Sequence, residues 1–543
     1  MPALKGISLT VALALGLAAA SGCWSGGSDK TAGNNTGQDQ QAERPPKPLL
    51  DGWTKPAAAI VFSGEQEGFL EPCGCTALQS GGMGRRHALF QLLGEKGWPL
   101  TAFDLGGTVR RSRLQSQIKF QTILAGLGQM GYAAMTLGPD ELRLGADYLL
   151  SRENFSPDAD AAPAFVAANV ELFESPDYGP SRYRTVTVGD VKIGVTAILG
   201  TSLKDKIFPE GANTDIEISD PLTSLRDVLP SLKADEPNLL VLLSHASLDE
   251  SRELAAKFPE FDVVASVGGP EDPDGKPERL GDTLLLKVGR KGKYVGVLGF
   301  YPDADQRLRF ELVNLDNRRF TETEEMRQLL QVYQDELRDR ALDLYLELPR
   351  GRHPADALFV GAATCGKCHV KAYNKWKTSA HAHATDSLIK GRKDEKNPVS
   401  RIHDPECLSC HVTGWQPQEV ARYVSGYISE ALVADAGHRA ALESAFQSSG
   451  RDERVSPALF QDLQGQQCEN CHGPGSEHVR LETLVKQNRS AVVQDQLLAG
   501  RRAMHLSRSH AREHVCLQCH DLDNSPDFDF DKYWDKVSHP WRD

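Results

Sequence analysis

Four short stretches place two thiols three residues apart with an imidazole directly after them: "CGKCH" at 365–369, "CLSCH" at 407–411, "CENCH" at 468–472 and "CLQCH" at 516–520. Two thiols on one helical turn can add to the two vinyl groups of a haem, and the next residue then reaches the iron as axial ligand. A zinc clip pairs cysteines without requiring histidine at the following position, a dithiol oxidoreductase needs one pair, and a disulfide needs no histidine. With 16 histidines in 543 residues, four chance placements have odds of about one in a million. The pairs Cys365/Cys368, Cys407/Cys410, Cys468/Cys471 and Cys516/Cys519 therefore read as covalent sites for four haem c groups. His369, His411, His472 and His520 are their proximal ligands, and zinc or disulfides are the competing readings.

The remaining histidines concentrate in the same region: His381, His383, His403, His438, His478, His505, His510, His514 and His539. A second axial imidazole closes an iron for electron transfer, whereas an open sixth position admits small-ligand chemistry. Any one of these nine could equally be a surface histidine.

Cysteine chemistry depends on compartment, and the N-terminus speaks to that. "MPALKGISLTVALALGLAAASGC" has one early lysine, an apolar run from Ile7 to about Ala20, and small residues leading to Cys23. It reads as a secretory signal over 1–22, too short for a membrane span. "ASGC" resembles a bacterial lipobox, which implies lipidation at Cys23 and a membrane anchor made of acyl chains; the alternative is ordinary cleavage nearby. Trp24 in the next position favours the outer membrane, facing periplasm or cell surface. Residues 23–54, polar and ending in prolines, cannot bury enough apolar surface to offset their ordering entropy and read as a tether. A net charge of -13 argues against nucleic acid and suggests basic docking partners.

With their flanks, "CGKCHVKAYNKWKTSAHAHA", "DPECLSCHVTGW", "QCENCHGPGSEHV" and "CLQCHDLDNSPDFDFDKYWDKVSH" together resemble the tetrahaem cytochrome c-552/4 type, related to the electron acceptor of bacterial hydroxylamine oxidation. The resemblance spans residues 355–543. It implies His381 and His478 as distal ligands to neighbouring haems, with His539 and His403 as weaker candidates, and one haem that can lack a sixth ligand. Such domains carry little regular secondary structure because porphyrins form much of the core, and the strand signal here is nearly absent. The stretch "SGYISEALVADAGHRAALESAFQ" has amphipathic helical spacing suited to packing around haems.

Residues 55–320 differ in kind. Apolar, β-branched runs such as "AAIVFSG", "NLLVLLSH" and "KYVGVLGFY" alternate with helical patterns such as "QSQIKFQTILAGLGQMGY", the mark of an α/β organisation with buried strands. A charged helix from about Thr321 to Leu348, within a connector at 321–354, leads on to the cytochrome region. The order "EQEGFLEP", "GGMGRR", "DLGGT", "TLGPDELRLG", "LLSH", "VGGPED" resembles calcineurin-like metallophosphoesterases of the 5'-nucleotidase branch. The fold class is thus an α/β sandwich-type metallophosphoesterase-like domain plus a mostly helical or irregular multihaem cytochrome c domain.

That enzyme class uses two metals to clamp phosphate and generate hydroxide. Here the ligand positions hold Glu65, Glu67, Gly107, Pro139, Asp140, Pro270 and Asp272, and His245 alone matches literally, with Glu141 nearby. Glycine and proline side chains cannot ligate, so a dinuclear hydrolase is not expected. Glu65, Glu67, Asp140, His245 and Asp272 could form a reduced site for one divalent cation, or be solvated loop residues. Cys73 and Cys75, spaced too closely for an easy mutual disulfide, could bind a soft metal with His87.

The expected role is electron transfer between unidentified redox donor and acceptor proteins, with the α/β domain as a docking or ligand-binding module. Whether the protein is an enzyme stays open. The alternatives are a haem oxidoreductase acting on small nitrogen or sulfur compounds and a residual phosphoesterase.

Overall fold

The structure, a computed structural model, describes residues 48–72, 79–152, 163–175, 178–208, 215–391, 395, 397–423, 463–488 and 494–539. The leader, Cys23, Cys73, Cys75, His438 and the helical stretch at 425–447 lie outside the described residues.

The apolar runs build two six-stranded sheets. The first contains β1 (Ala58–Ser63), β2 (Leu100–Asp104), β3 (Tyr132–Met135), β4 (Ala164–Phe165), β13 (Tyr294–Phe300) and β14 (Leu308–Asn314), in the order β14-β13-β1-β2-β3-β4. The second contains β6 (Tyr183–Val188), β7 (Val191–Leu199), β9 (Leu239–His245), β10 (Val263–Ser266), β11 (Glu278–Leu280) and β12 (Thr283–Lys287), in the order β11-β12-β10-β9-β7-β6. In each sheet four parallel strands are flanked by antiparallel neighbours. Short strands β5 (Val170–Leu172) and β8 (Ile216–Ile218) pair separately.

Alternation with period two explains the layering. Ala58, Ile60 and Phe62 of β1 face the second sheet, meeting Ile193, Val195, Val241 and Leu243, while Ala59 and Val61 face helices Met83–Glu95 and Leu114–Gln129. Leu240, Leu242, Val264 and Leu285 of the second sheet turn outward onto helices Pro221–Ala234 and Leu248–Lys257. Because the central strands are buried on both faces, they read as continuous apolar runs. The helix starts are equally explicit: Asp220 accepts from Thr223 N with Pro221 in the first turn, and Ser247 with Glu250 forms a capping box.

Two boundaries differ from the sequence reading. The folded body begins at Leu49, not after 54: Leu50 is buried and Trp53 stacks on Trp98 with ring centres 6.3 Å apart. The charged connector is two helices, Glu324–Asp339 and Ala341–Glu347, broken at Arg340. The first of these does more than connect, since Met326, Leu330, Tyr333 and Leu337 are buried, and it lies on helix Leu114–Gln129.

Beyond it, short helices dominate: Val370–Lys377, Ala384–Lys390, Pro405–His411, Ser476–Gln487, Gln494–Ala503 and Phe530–Val537. A small sheet, β15 (Arg350–Gly351), β16 (Trp415–Gln416) and β17 (Ala421–Tyr423), was not expected. Strands of two or three residues are too short for their alternation to register in sequence. Tyr345, Phe359, Leu408, Val412, Trp415 and Val420 cluster there, around the second thiol motif.

Candidate electron-transfer site

The second motif is positioned by its own flank, and the first by the third. Asp404 caps helix Pro405–His411 by accepting from Glu406 N at 2.9 Å, which presents Cys407, Cys410 and His411 from one short helix. Glu469, inside the third motif, is buried and accepts from the backbone of Val360 and Gly361 at 2.8 Å and of Gly475 at 2.7 Å. Gln467 Oε1 accepts from Ala362 N at 2.5 Å. The third motif thereby staples the start of the helix carrying Cys365.

Three of the four proximal imidazoles have a hydrogen-bond partner at Nδ1 that leaves Nε2 available. Nδ1 of His411 meets Ala384 O at 2.7 Å, that of His472 meets Met504 O at 2.7 Å, and that of His520 meets Ser525 Oγ at 3.0 Å. Such a contact fixes tautomer and ring orientation, as a ligating histidine requires. Burial lowers the pKa of His381, His411, His472, His478 and His520, favouring the neutral, ligating form.

Three of the distal candidates lie opposite motif histidines. His478 stands over His369 with ring centres 6.3 Å apart and planes 27° apart. His381 faces His520 at 6.2 Å and 42°, and His539 faces His472 at 5.7 Å and 47°. A metal held between two imidazoles, with each nitrogen about 2.0 Å away and each ring centre roughly 1.1 Å behind it, needs about 6.2 Å between ring centres. The three pairs match that requirement, and the buried Nδ1 of His478 has no hydrogen-bond partner. No described histidine ring faces His411. His403 sits by Arg338 and Asp339 of the connecting helix, its pKa pushed down to about 4 by burial and Arg338, and among the described residues it faces no motif histidine.

The eight motif thiols are free, and their neighbours give an order. Cys365 meets Cys468, Cys410 meets Cys519, and Cys471 lies within electrostatic reach of Cys516. The thiol motifs therefore run first, third, fourth, second.

Most of the positions matched to the hydrolase motifs gather at the C-terminal ends of parallel strands of both sheets. Glu65 and Glu67 follow β1, Gly107 follows β2, Asp140 and Glu141 follow β3, and His245 ends β9. They do not make a cation site. Arg290, after β12, places Nε 2.8 Å from Glu67 Oε1 and 3.5 Å from Glu65 Oε2, so a guanidinium stands where positive charge would be bound. A Cβ on Gly107 would lie 2.4 Å from Glu65 Oε1, so a side chain there would require Glu65 to swing away. The loops are laced shut by Glu65 N to Gly106 O at 2.7 Å, and by Glu67 N to Gly107 O and Gly68 N to Thr108 O at 2.8 Å each.

Glu141, fully buried, accepts from Gly138 N at 2.8 Å, Gly107 N at 3.2 Å, Thr108 Oγ1 at 2.5 Å and Thr108 N. His245 Nδ1 meets Leu105 O at 2.6 Å, and its Nε2 lies 3.5 Å from Glu65. Burial and the neighbouring Glu67 push Glu65 up to about 8, and burial with Glu141 pushes Asp140 up to about 6. Asp272 stands apart, exposed and engaged with Lys293 at 3.8 Å and with Tyr294. Among the described residues no three histidine, cysteine or acidic side chains converge to hold a metal ion. Arg290 was missed from sequence because it belongs to no ligand motif.

Fold and site together describe a short-helical region with four thiol–thiol–imidazole motifs joined to a two-sheet α/β domain. Residues 364–435 match the family described as Cytochrome c554 and c-prime, which implies haem c. The chain is 30% identical over 128 residues to cytochrome c-554 of Nitrosomonas europaea, covering 22% of this chain and 40% of that protein. It is 27% identical over 165 residues to an apyrase of Aedes aegypti, covering 26% of this chain and 29% of that one. The match thus spans less than half the length of either relative. Among solved structures, a 5'-nucleotidase precursor from Thermus thermophilus aligns over 52% of this chain and 59% of its own, with TM-score 0.44 and 22% identity.

Proposed function

We propose that the protein is an exported, lipid-anchored tetrahaem electron carrier with three closed irons and one open one. The three facing histidine pairs carry this reading. Haem c, when bound, supplies a one-electron iron couple tuned by axial ligand and burial. Cys365/Cys368, Cys407/Cys410, Cys468/Cys471 and Cys516/Cys519 are the thioether positions. His369 with His478, His472 with His539, and His520 with His381 hold the closed irons. Contacts at Ala384 O, Met504 O and Ser525 Oγ orient three of the proximal rings. The order of the attachment sites sets the order of transfer: first, third, fourth, second. The α/β domain, its cation site filled by Arg290, acts as a docking or ligand-binding module.

A second reading is a haem oxidoreductase for small nitrogen or sulfur compounds, which an iron with an open sixth position would allow. One experiment tests both. Pyridine haemochrome should count four haems per chain, and electron paramagnetic resonance should show three low-spin centres and one high-spin centre that takes up carbon monoxide. Four low-spin centres inert to carbon monoxide would sink the open iron and the second reading with it. Fewer than four haems would sink the carrier as described. Turnover of hydroxylamine or sulfite by the holoprotein would favour the second reading over simple transfer. The anchor is tested by labelling with a radioactive fatty acid, which Cys23→Ala should abolish.

A further inference from the structure

The chain segment that carries the first motif has the opposite sign from the protein as a whole, and Glu482, the acidic group near His369, is paired with Arg501 at 2.6 Å. From Ala357 to Thr385 the chain has four lysines, Lys367, Lys371, Lys375 and Lys377, and no aspartate or glutamate, in a protein of net charge -13. Lys367, Lys371 and Lys377 are exposed, as are Cys368 and His369 beside them. Lys486, from helix Ser476–Gln487, joins the same face, its Nζ 3.1 Å from Cys368 Sγ. Lys375 is committed elsewhere, donating to Asp535 O at 2.9 Å and to Ser538 O. The other motifs have different surroundings. The fourth is followed by Asp521, Asp523, Asp527, Asp529, Asp531 and Asp535. The second, at the other end of the line, is covered on its helix by the α/β domain through Lys119 and Arg111 on Glu406.

We infer that this basic face is the port through which an acidic one-electron carrier protein exchanges electrons with the first haem. This rests on the carrier reading above. In each exchange one electron leaves the ferrous iron held by His369 and His478 and reduces the partner's oxidised centre, or passes in reverse; no bond is made or broken. Opposite charge accelerates encounter and makes it dependent on ionic strength. The local field thus selects an acidic partner, even though the net charge alone suggests a basic one.

The test uses the full holoprotein and the variant K367E/K371E/K377E, which alters exposed side chains only. An acidic [2Fe–2S] ferredoxin is the protein probe. Ferricyanide and hexaammineruthenium(III) are small probes of opposite charge. At low ionic strength the variant should bind ferredoxin at least tenfold more weakly by titration calorimetry. Its ferrous form should reduce ferricyanide at least fivefold more slowly, with no loss of rate toward the ruthenium complex. Added salt should slow the ferredoxin reaction of the parent and leave the variant nearly unaffected. Less than a twofold change in both ferredoxin affinity and ferricyanide rate would overturn the inference. So would equal slowing toward both small probes, which reports damage to the haem and not charge. Haem count and spin states, measured on both proteins, report separately on the carrier reading.

Discussion

Lys119→Met should loosen the second haem motif from the α/β domain. Lys119 extends from helix Leu114–Gln129, is buried, and places Nζ 2.6 Å from Glu406 Oε2, one residue before Cys407. Arg111 reaches Glu406 Oε1 at 3.0 Å, and Gln115 donates to Asp404 Oδ1 at 2.7 Å, with Tyr333 and Gln334 near the other oxygen. Burial would lower the Lys119 pKa, but Glu406 and Asp404 outweigh it and raise it; burial raises Asp404, while Lys119 and Arg111 hold Glu406 below its ordinary value. Removing one partner of a buried pair costs about 3–5 kcal/mol because the other charge is stranded. Here Arg111 remains and about a third of the Glu406 side chain, 35%, is exposed, so the expected cost is about 2–3 kcal/mol. Glu406→Gln should cost about 1–2 kcal/mol, and the double variant should recover about 1–2 kcal/mol of coupling. Urea unfolding followed by circular dichroism and by the Soret band measures these differences, and the high-spin resonance signal reports the second haem directly. A Lys119→Met cost under about 0.5 kcal/mol, or additivity within about 0.5 kcal/mol, would refute the buried lock.

Further outcomes follow from the same geometry. His478→Ala should convert one low-spin centre to high-spin and shift the midpoint potential of that centre in a redox titration, leaving the other two closed centres intact; an unchanged resonance spectrum would remove His478 as a ligand. Glu65 holds its proton in the folded state up to about pH 8 but only to about 4.5 when unfolded. Stability should therefore fall as pH rises between those values, by at most about 1.4 kcal/mol per pH unit from this group, and Glu65→Gln should flatten that slope in urea titrations at several pH values. Gly107 has φ of +72° and no room for a Cβ beside Glu65, so Gly107→Asp should destabilise by about 2–4 kcal/mol. A melting temperature equal to the parent's would show that the crevice can reopen. Bis-p-nitrophenyl phosphate with manganese should not turn over, and measurable metal-dependent hydrolysis would contradict the plugging by Arg290.

What sequence could reach was set by range. The thiol motifs are local, so Cys365 through His369 announce their chemistry within one turn, and the β-branched runs of β1, β7 and β9 announce buried strands because both faces are covered. Helix starts at Asp220 and Ser247 are equally local. The pairing of His381 with His520 and of His539 with His472 depends on how distant segments pack, and no spacing encodes it. Arg290 likewise contributes to the crevice only because β12 lies across from β1 in the opposing sheet. Asp272 was grouped with the crevice by alignment of "VGGPED", yet Lys293 and Tyr294 hold it elsewhere. The pairing of Lys119 with Glu406 joins segments 287 residues apart, and burial of a lysine stem cannot be seen from its neighbours in sequence.

The α/β domain touches the C-terminal region with the same edge that carries Arg290 and Glu67. After β12, Arg290 turns into the crevice onto Glu67, and the next residue, Lys291, turns out to Asp523 at 2.6 Å. Gln79, at the far end of the loop that follows Glu67, donates to Asp523 O at 3.1 Å. Asp523 belongs to the turn after His520, where Asp521 accepts from the backbone of Asp523 at 3.1 Å and of Asn524 at 2.7 Å, and Ser525 meets the His520 ring. A displacement of the loop at 290–291 is thus transmitted through one ion pair to the turn that orients a proximal ligand. Lys291→Met should accordingly shift the midpoint potential of the fourth haem while leaving the first unchanged, because the first motif has no contact with this loop in any described residue. Equal shifts at both, or none at either, would show that the turn holds His520 by itself and that the crevice and the cytochrome region are energetically independent.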